Sequence, residues 1–281
     1  MGEAVTGDRR TIEGFGFEWS TFDQSRRSIE ELRRTFDQYF RDFPWDSLPA
    51  AAIGFDLGCG TGRWARLVAS RVGRMVCVDA SEEALRVAAR HLDDVGNCRL
   101  VLGSAGELPL ADRSMDFGYS LGVLHHIPDP QAGLTDAVRV LKPGAPLLVY
   151  LYYAFDNRPA WYRTLWWITD RLRLRISTMS PPMRYRVTQA IAAIVYLPLA
   201  RLALAAEALG LDAERVPLAA YRRRSFYSMR TDALDRFGTR LEKRFTAAQI
   251  RAMMEQAGLE RIRFAHEPPF WCAVGYRRDP Q

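Results

Sequence analysis

Between residues 52 and 152, short apolar runs alternate with stretches whose apolar residues recur at helical spacing. Apolar runs bounded by turn residues predict buried strands, and the stretches between them predict amphipathic helices. Five strands are predicted here, at 52–57, 74–79, about 98–102, about 115–121 and about 145–152. Because strand and helix alternate, the pattern favours a parallel sheet with helices on its faces.

The last part of the chain continues this pattern after a long interruption. Thr246 and Gln249 form a capping box, which predicts a helix that ends at Gly258. Two further strands are predicted at 259–264 and 271–276. They complete an α/β fold with a doubly wound, mostly parallel, seven-stranded sheet whose last two strands form a reversed hairpin.

The N-terminal fifty residues combine a polar start, an aromatic segment and one helix. Residues 1–12 are polar and predicted to be disordered, and residues 15–22 are rich in aromatic side chains without a clear period. Ser28, with a glutamate three residues later, predicts the start of a helix. Two roles stay open for the aromatic residues: packing the helix on the sheet, or covering a ligand through Phe17 and Trp19.

The interruption itself, residues 154–244, is rich in Trp, Tyr and Arg and exceeds what the minimal sheet needs. A helix is predicted from the apolar residues Trp161, Leu165, Ile168 and Leu172. The apolar run 190–200 contains Pro198 and is too short to span a bilayer. Three interpretations stay open: a helical subdomain packed on itself, a lid over an acceptor, and an element at a membrane surface.

The turn after the first strand is rich in glycine. Asp56 is followed by Gly58, Gly60 and Gly62 at every second position, and then by a helical stretch. Glycines permit positive φ and let a ligand approach the backbone closely. Asp79 ends the second strand about 20 residues later, where a carboxylate suits the hydroxyls of a ribose. The stretch is therefore interpreted as a nucleoside-binding unit.

Two other nucleotide-binding patterns fit less well. The nicotinamide fingerprint fails when counted from Gly58, because Arg63 takes the sixth place. Counted from Gly60 it fits, with Ala65 in the sixth place, but it starts late relative to the strand. The loop also lacks the lysine of a P-loop. A dehydrogenase stays a remote alternative.

The glycine loop resembles the first motif of class I S-adenosylmethionine (SAM)-dependent methyltransferases, because Asp56 and the three glycines fill every place of that motif. Residues 103–109, 114–129 and 141–144 strengthen the resemblance. Residues 114–129 are similar to the segment after strand four in the branch that includes ubiquinone and menaquinone methyltransferases and many small-molecule methyltransferases. The resemblance implies a Rossmann-like methyltransferase fold with a helical insertion after strand five.

The resemblance divides the chain into four regions. Residues 1–50 would form the aromatic segment and first helix, and 51–153 the SAM-binding core. Residues 154–244 would form the insertion or lid, and 245–281 the last helix and strands of the core. The residues implied to bind the cofactor are Asp56, Gly58, Gly60, Gly62, Asp79, Ala80, Ser104, Ala105 and Leu121. Ser104 stands where the family often has an acid, which puts that adenine contact in doubt.

The implied reaction is methyl transfer from SAM to a small-molecule acceptor, with oxygen favoured as the acceptor atom and carbon next. Such a reaction mainly needs alignment and exclusion of water, and it needs a base only for a hydroxyl or a carbon acid. His125 and His126 follow strand four directly and are the candidates for that base, with structural packing as the alternative role. Tyr153, after strand five, is the favoured acceptor contact.

Composition adds limits to this picture. The formal charge of +6 comes mostly from arginine, but no recognisable nucleic-acid module accompanies it, so nucleic acid is not expected and peripheral membrane contact stays possible. The four cysteines form no CxxC pair, so no metal site is expected. The sequence begins without an apolar leader, and a reduced, cytoplasmic protein is expected.

One rival function belongs to a different class. A protein with this fold could bind SAM without catalysis and use the insertion to contact a partner or a membrane. Release of S-adenosylhomocysteine would separate an enzyme from such a binder. The sequence leaves open the identity of the acceptor, the atom methylated, the use of a base and the oligomeric state.

Overall fold

The computed structural model describes residues 9–24 and 26–279. Its strands are β1 (Ile53–Leu57), β2 (Arg74–Asp79), β3 (Cys98–Leu102), β4 (Phe117–Leu121), β5 (Pro146–Tyr150), β6 (Leu259–Phe264) and β7 (Cys272–Arg277). Its α-helices are α1 (Arg9–Thr21), α2 (Ile29–Tyr39), α3 (Arg63–Ala69), α4 (Glu82–His91), α5 (Pro130–Val140), α6 (Ala160–Ile176), α7 (Pro181–Ile191), α8 (Leu197–Ala208), α9 (Phe226–Gly238) and α10 (Ala247–Gln256). Each predicted strand therefore forms within about two residues of its predicted ends.

The strands form one seven-stranded sheet in the order β3-β2-β1-β4-β5-β7-β6. Strands β1 to β5 are parallel, and β7 runs antiparallel to both β5 and β6. The prediction of a mostly parallel sheet with a reversed final hairpin is confirmed. The strand order reverses between β1 and β4, and in such sheets ligands bind outside the carboxyl ends of the strands at that point.

Strands β1 and β4 interlock through two glycine–phenylalanine pairs. Gly54 pairs with Phe117 and Phe55 pairs with Gly118 in the parallel register. A Cβ atom on Gly54 would lie 2.1 Å from Cζ of Phe117, and one on Gly118 would lie 2.1 Å from Cε1 of Phe55. Successive strand residues point to opposite faces, so one pair fills each face of the sheet.

Helices cover both faces of the sheet. On one face, α5 and α10 bury Leu134, Val138, Ile250 and Met254 in a cluster that includes Phe55 of β1. On the other face, the aromatic side chains of α2 and the turn after it pack on β4. The Phe40 ring, for example, meets Tyr119 edge to face at a centroid distance of 5.1 Å.

Helix α1 forms where residues 9–12 were predicted to be disordered and where the aromatic segment gave no helical period. Its inward positions are Thr11, Glu18 and the following Phe22, which are all buried. Their spacing is helical, but two of the three are polar, so the apolar residues alone showed no helical period. Gly16 allows the helix to approach α4, because a Cβ there would lie 2.9 Å from Oγ of Ser81. Residues 1–8 lie outside the described part of the chain.

The described residues form two compact units, and the boundary between them passes through α2. The first consists of 9–23, 33–158 and 241–279, and the second of 24, 26–32 and 159–240. The second unit is helical, and it is built around residues of α6, α9 and the helical run between Pro181 and Ala208. Its buried cluster is Ile176, Ala192, Tyr196, Ala200, Met229, Ala233 and Phe237.

Helix α6 forms where it was predicted, but its apolar stripe is exposed. Trp161, Leu165, Ile168 and Leu172 are each more than 40% exposed. The helix instead buries Arg173 and Ile176. Arg173 is held in place by the carbonyl oxygens of Thr239 and Arg240, at 2.8 and 3.0 Å from its Nη1. Periodicity located the helix correctly, but it did not identify the packed side.

The apolar run 190–200 belongs to a longer helical run than the sequence suggested. Helix α7, a π-helical turn at Ala192–Tyr196 and α8 join without a break. The joined run, Pro181–Ala208, has 28 residues and contains an 18-residue stretch with a mean hydropathy of 1.7, so length and composition would allow it to cross a membrane. Burial of Thr188, Ala192 and Ala200 shows that one side of the run packs within its unit.

The interlock of β1 and β4 generates the first testable prediction. We expect Gly118→Ala to lower the free energy of unfolding by about 1–3 kcal/mol or more, because the new methyl group meets a rigid phenyl ring in a packed core. Urea denaturation would measure the change. Gly14→Ala is the matched control, since Gly14 has no atom within 4 Å of an added Cβ. Equal stability of the two variants would contradict the interlock.

Candidate functional site

The glycine loop follows β1 directly and adopts a backbone that suits glycine. Gly58, Gly60 and Gly62 have φ angles of +78°, +53° and +75°. Such left-handed angles are costly for other residues. The N–H groups of Gly58 and Cys59 donate to the carbonyl oxygen of Val78, at 2.8 and 3.0 Å. The loop is therefore anchored to the end of β2.

Neighbouring side chains approach all three glycines closely. A Cβ atom on Gly58 would lie 2.2 Å from Cγ2 of Val123, and one on Gly62 would lie 2.8 Å from Cδ1 of Leu92. A Cβ on Gly60 would lie 3.3 Å from the indole ring of Trp19. Helix α1 thus places Trp19 against the loop.

The Asp79 carboxylate closes the loop from the tip of β2. Its Oδ2 accepts the Gly60 N–H at 2.8 Å, and its Oδ1 accepts the Ser81 N–H at 2.9 Å. Burial raises the pKa of Asp79, while the N–H donors of Ser81, Gly60 and Ala80 oppose that shift. Each oxygen keeps a second lone pair, so the carboxylate can still accept hydrogen bonds from a diol. Ala80 is half-buried beside it.

Asp56 occupies a different environment from Asp79. Its side chain is 1% exposed and accepts a hydrogen bond from the Tyr119 hydroxyl at 3.0 Å. Burial raises the pKa of Asp56 to about 8, an effect that the Tyr119 hydrogen bond partly offsets. Asp56 therefore lies inside the sheet, beneath the loop, and is mostly protonated at neutral pH.

The remaining predicted cofactor residues lie at the carboxyl ends of β3 and β4. Ser104 is buried and forms an isolated bridge with Glu107. Ala105 is half-buried, and it lies near Gly133 of α5, where an added Cβ would be 3.3 Å away. Leu121 is half-buried at the last position of β4. The sheet therefore brings the predicted residues to one edge, apart from Asp56, which is enclosed.

The two histidines lie in a 3-10 turn after β4 and are both buried. Nδ1 of His125 accepts the backbone N–H of Tyr152 at 3.3 Å, so in the neutral ring Nε2 holds the hydrogen. Burial, with smaller effects from His126 and Arg244, lowers the pKa of His125 well below 6.5. His125 is therefore a neutral ring without a free basic nitrogen.

His126 adopts the opposite tautomer. Its Nδ1 lies 2.7 Å from the carbonyl oxygen of Leu241, which can accept but not donate, so Nδ1 holds the hydrogen. The lone pair of the neutral ring then lies on Nε2. The Phe15 ring of α1 meets His126 edge to face at 5.0 Å. Of the two predicted bases, His126 alone has the tautomer that a base needs.

A short segment that precedes α10 fixes both histidines. Besides the bond that His126 donates to the Leu241 carbonyl, the N–H of Lys243 donates to the carbonyl oxygen of His125 at 2.9 Å, and the N–H of Phe245 donates to that of Tyr152 at 2.9 Å. These residues lie about 115 positions after the histidines. Sequence reasoning gave no role to this segment, because its contacts are made by the backbone.

Tyr152, rather than Tyr153, lies with the histidines. Its ring stacks on His125 at a centroid distance of 3.8 Å, and the Arg244 guanidinium lies 5.1 Å from the same ring. Tyr153 instead meets Phe155 at 4.5 Å, together with the rings of Phe270 and Trp271. The alternation of strand residues could have shown this, because Tyr152 continues the side of Tyr150.

No group of three or more His, Cys, Asp or Glu within residues 9–24 and 26–279 could hold a metal ion. The four cysteines are free, and Cys98 is the least buried of them.

Comparison with known proteins agrees with this geometry. A family model described as a methyltransferase domain matches residues 55–149. A demethylmenaquinone methyltransferase of Staphylococcus saprophyticus is 37% identical over 106 residues, which cover 36% of this chain and 45% of that protein. A protein of Streptomyces fradiae described as an uncharacterized 37.1 kDa protein in a transposon is 37% identical over 97 residues, covering 34% and 28%.

Residues 55–149 form a class I SAM-dependent methyltransferase domain. The predicted methyltransferase family is thereby confirmed for these residues. The chain spans less than half the length of the curated relatives it matches.

Solved structures of low sequence identity share the fold of this methyltransferase domain. A Thermotoga maritima SAM-dependent methyltransferase described as a possible histamine N-methyltransferase gives a TM-score of 0.53 at 14% identity, covering 96% of this chain and 100% of that one. A phosphoethanolamine N-methyltransferase of Haemonchus contortus, solved with S-adenosylhomocysteine, gives 0.51 at 17% identity, covering 91% and 43%.

The buried Asp56 generates a prediction about pH. The pKa of Asp56 is about 8 in the folded protein and 3.8 in an unfolded chain, so the folded state binds more protons between these values, and stability falls as pH rises through them. Asp56→Asn removes this titration but keeps an acceptor for Tyr119. We expect its free energy of unfolding, measured with urea, to fall less than that of the wild type from about pH 5 to about pH 8. The exposed Asp93→Asn is the control and should keep the wild-type slope.

Proposed function

We propose that this chain binds SAM at the glycine loop and transfers its methyl group to a small-molecule acceptor, with oxygen favoured as the acceptor atom and carbon next. The observation that carries the proposal is the Asp79 carboxylate, which lies across the loop and holds Gly60 at 2.8 Å. Ribose recognition needs an acid at this position, and the family match places the same loop in a methyltransferase domain.

The proposed cofactor site fits the residues present. The glycine loop keeps its turn through positive φ angles at its three glycines. Asp79 would hold the ribose hydroxyls, and Ser104 and Ala105, which follow β3, would contact the adenine. Trp19 lies against Gly60, which supports the interpretation of the aromatic segment as a cofactor cover. SAM, when bound, supplies a methyl group attached to a sulfonium, which is already a good leaving group.

His126 is the proposed general base for a hydroxyl acceptor. The Leu241 carbonyl, 2.7 Å from Nδ1, orients the ring and leaves the lone pair on Nε2. The same carbonyl would stabilise the charged ring after proton transfer. Aromatic rings of Phe15 and Tyr152 surround this imidazole and limit access of water.

Tyr152 is the proposed acceptor contact at the end of β5, together with Tyr153, which lies farther from the histidines. The name of the Staphylococcus saprophyticus relative, demethylmenaquinone methyltransferase, supports an acceptor of the small-molecule class. Four free cysteines suit a reducing compartment, which supports the proposed cytoplasmic location.

A SAM-binding protein without catalysis is the second candidate, and it is favoured by the low exposure of His126, at 4%. Both candidates require SAM binding, so turnover separates them. Release of labelled S-adenosylhomocysteine in the presence of hydroxyl-bearing acceptors would identify an enzyme. Tight binding of SAM with no release across a broad acceptor panel would support the binder.

The first test of the site is calorimetric titration with SAM and with S-adenosylhomocysteine. We expect saturable binding of both, and we expect Asp79→Ala to weaken it about 10-fold to 100-fold, because hydrogen bonds to a charged group contribute about 1.5–3 kcal/mol. Asp93→Asn, at an exposed position, should leave the affinity unchanged. Unchanged affinity of Asp79→Ala would remove the ribose assignment.

The second test separates catalysis from binding. We expect His126→Ala to lower turnover about 100-fold, in the range typical of a lost general base, while the dissociation constant of SAM stays within about twofold. The exposed His266→Ala is the matched control and should retain full turnover. Full activity of His126→Ala would exclude this histidine from catalysis.

A further inference from the structure

The second unit exposes an apolar stripe along α6. Trp161, Leu165, Ile168 and Leu172 make up this α6 stripe and are 53, 41, 55 and 47% exposed. Their spacing of three and four residues places them on one side of the helix. Single exposed apolar residues are ordinary, but a contiguous row of four large ones marks an interaction surface.

Unpaired arginines flank the α6 stripe. Arg163 and Arg175 are exposed, and neither forms an ion pair with a described residue. Arg175 lies three positions after Leu172 and so borders the stripe. The guanidinium of Arg171 lies 4.6 Å from the ring of the exposed Trp167. Tryptophan and arginine beside aliphatic residues are typical of helices that lie at a membrane interface.

The charge of this segment differs from that of the rest of the chain. Residues 159–240 contain 14 arginines, no lysine and six acidic residues, which gives +8. The whole chain has +6, so the remaining residues sum to −2. The two acids within 160–208 are neutralised, since Asp170 pairs with Arg173 at 2.7 Å and Glu207 with Arg223 at 2.9 Å. The helical segment therefore presents uncompensated positive charge.

An anionic lipid bilayer would match both the apolar stripe and the positive charge, whereas nucleic acid would match only the charge. Phosphate backbones would attract the arginines but would leave the Leu and Ile side chains of the α6 stripe in water. A bilayer with anionic headgroups offers charge to the arginines and hydrocarbon to the stripe. Each juxtamembrane arginine adds to such binding, and the effect falls with salt.

The unit has a polar side that must stay in water. The run Pro181–Ala208 packs against α9, where Arg230 donates to the Tyr185 hydroxyl at 2.8 Å. Helix α9 also contains Asp232, which pairs with Arg27 at 3.4 Å and with Arg224 at 3.2 Å. Charged groups inside a bilayer are costly. Insertion of the run across a membrane would take these groups with it, so the unit is suited to lie on the surface.

We propose that the helical unit formed by residues 159–240 binds the surface of an anionic lipid bilayer through the α6 stripe, with its arginines at the headgroups. The side chains of the stripe enter the boundary between headgroups and acyl chains. The inference is independent of the chemistry at the glycine loop, because it rests on residues outside the methyltransferase domain.

The test is sedimentation of the full chain with vesicles. We expect the protein to sediment with vesicles of phosphatidylcholine and phosphatidylglycerol, and about tenfold less with phosphatidylcholine alone. Raising the salt from about 0.1 M to about 1 M shortens the Debye length from about 10 Å to about 3 Å and should weaken binding. Failure to bind anionic vesicles at low salt would overturn the proposal.

Two variants connect binding to the stripe. The first is a triple variant with Leu165→Gln, Ile168→Gln and Leu172→Gln. It should bind anionic vesicles about tenfold less or weaker still, because its apolar area no longer enters the bilayer. Ile29→Gln is the control: it makes the same change at a residue that is 63% exposed on α2 and should bind as the wild type. Circular dichroism confirms folding of both, and the SAM titration shows whether the first unit is intact.

Three results would contradict the proposal. Equal binding of the triple variant and the wild type would exclude the stripe. Equal loss in Ile29→Gln would point to a general effect of surface apolarity. Recombinant protein that stays in the membrane fraction after alkaline carbonate washing would show a spanning helix instead of surface binding.

Discussion

The close packing of β1 against β4 sets the relative positions of the glycine loop and the histidine turn. The reciprocal pairs of Gly54 with Phe117 and of Gly118 with Phe55 leave one register between these strands, because a shift by one residue would place ring against ring. The glycine loop leaves β1 three residues after Phe55, and the histidine turn leaves β4 soon after Gly118. This packing contact therefore fixes the positions, along the strand direction, of the proposed cofactor residues relative to the proposed base.

Desolvation dominates the electrostatics of this edge. It raises the pKa of both Asp56 and Asp79 and lowers that of His125. The acids differ in how that cost is offset: Asp79 receives backbone N–H groups, whereas Asp56 receives one phenol hydroxyl. Only the first arrangement leaves oxygen lone pairs near the surface. The two acids therefore differ in environment: Asp56 is enclosed in the sheet, whereas Asp79 lies at the tip of β2.

The sequence was sufficient where a simple period reports burial. Apolar runs bounded by turn residues predicted all seven strands, and the alternation of strand and helix predicted a mostly parallel sheet. Helix α1 was missed because Thr11 and Glu18 lie on its buried side. The sequence predicted the apolar stripe of α6 but not its exposure. Periodicity identifies an apolar side of a helix without identifying what covers that side. Tyr152 lies closer to the histidines than the predicted Tyr153, and the tautomer of His126 depends on a backbone carbonyl far along the chain.

Main-chain hydrogen bonds join the two ends of the insertion, where the chain leaves the core and where it returns. Tyr153 and Phe245 form a parallel bridge, with the N–H of Phe245 bonded to Tyr152 and that of Ala154 bonded to Phe245, both at 2.9 Å. Since closing a longer loop costs little more than closing a shorter one, the inserted segment can change in size with small effect on the core. A shorter or longer insertion must still keep the backbone carbonyl of Leu241 in place, because this group sets the proton on Nδ1 of His126.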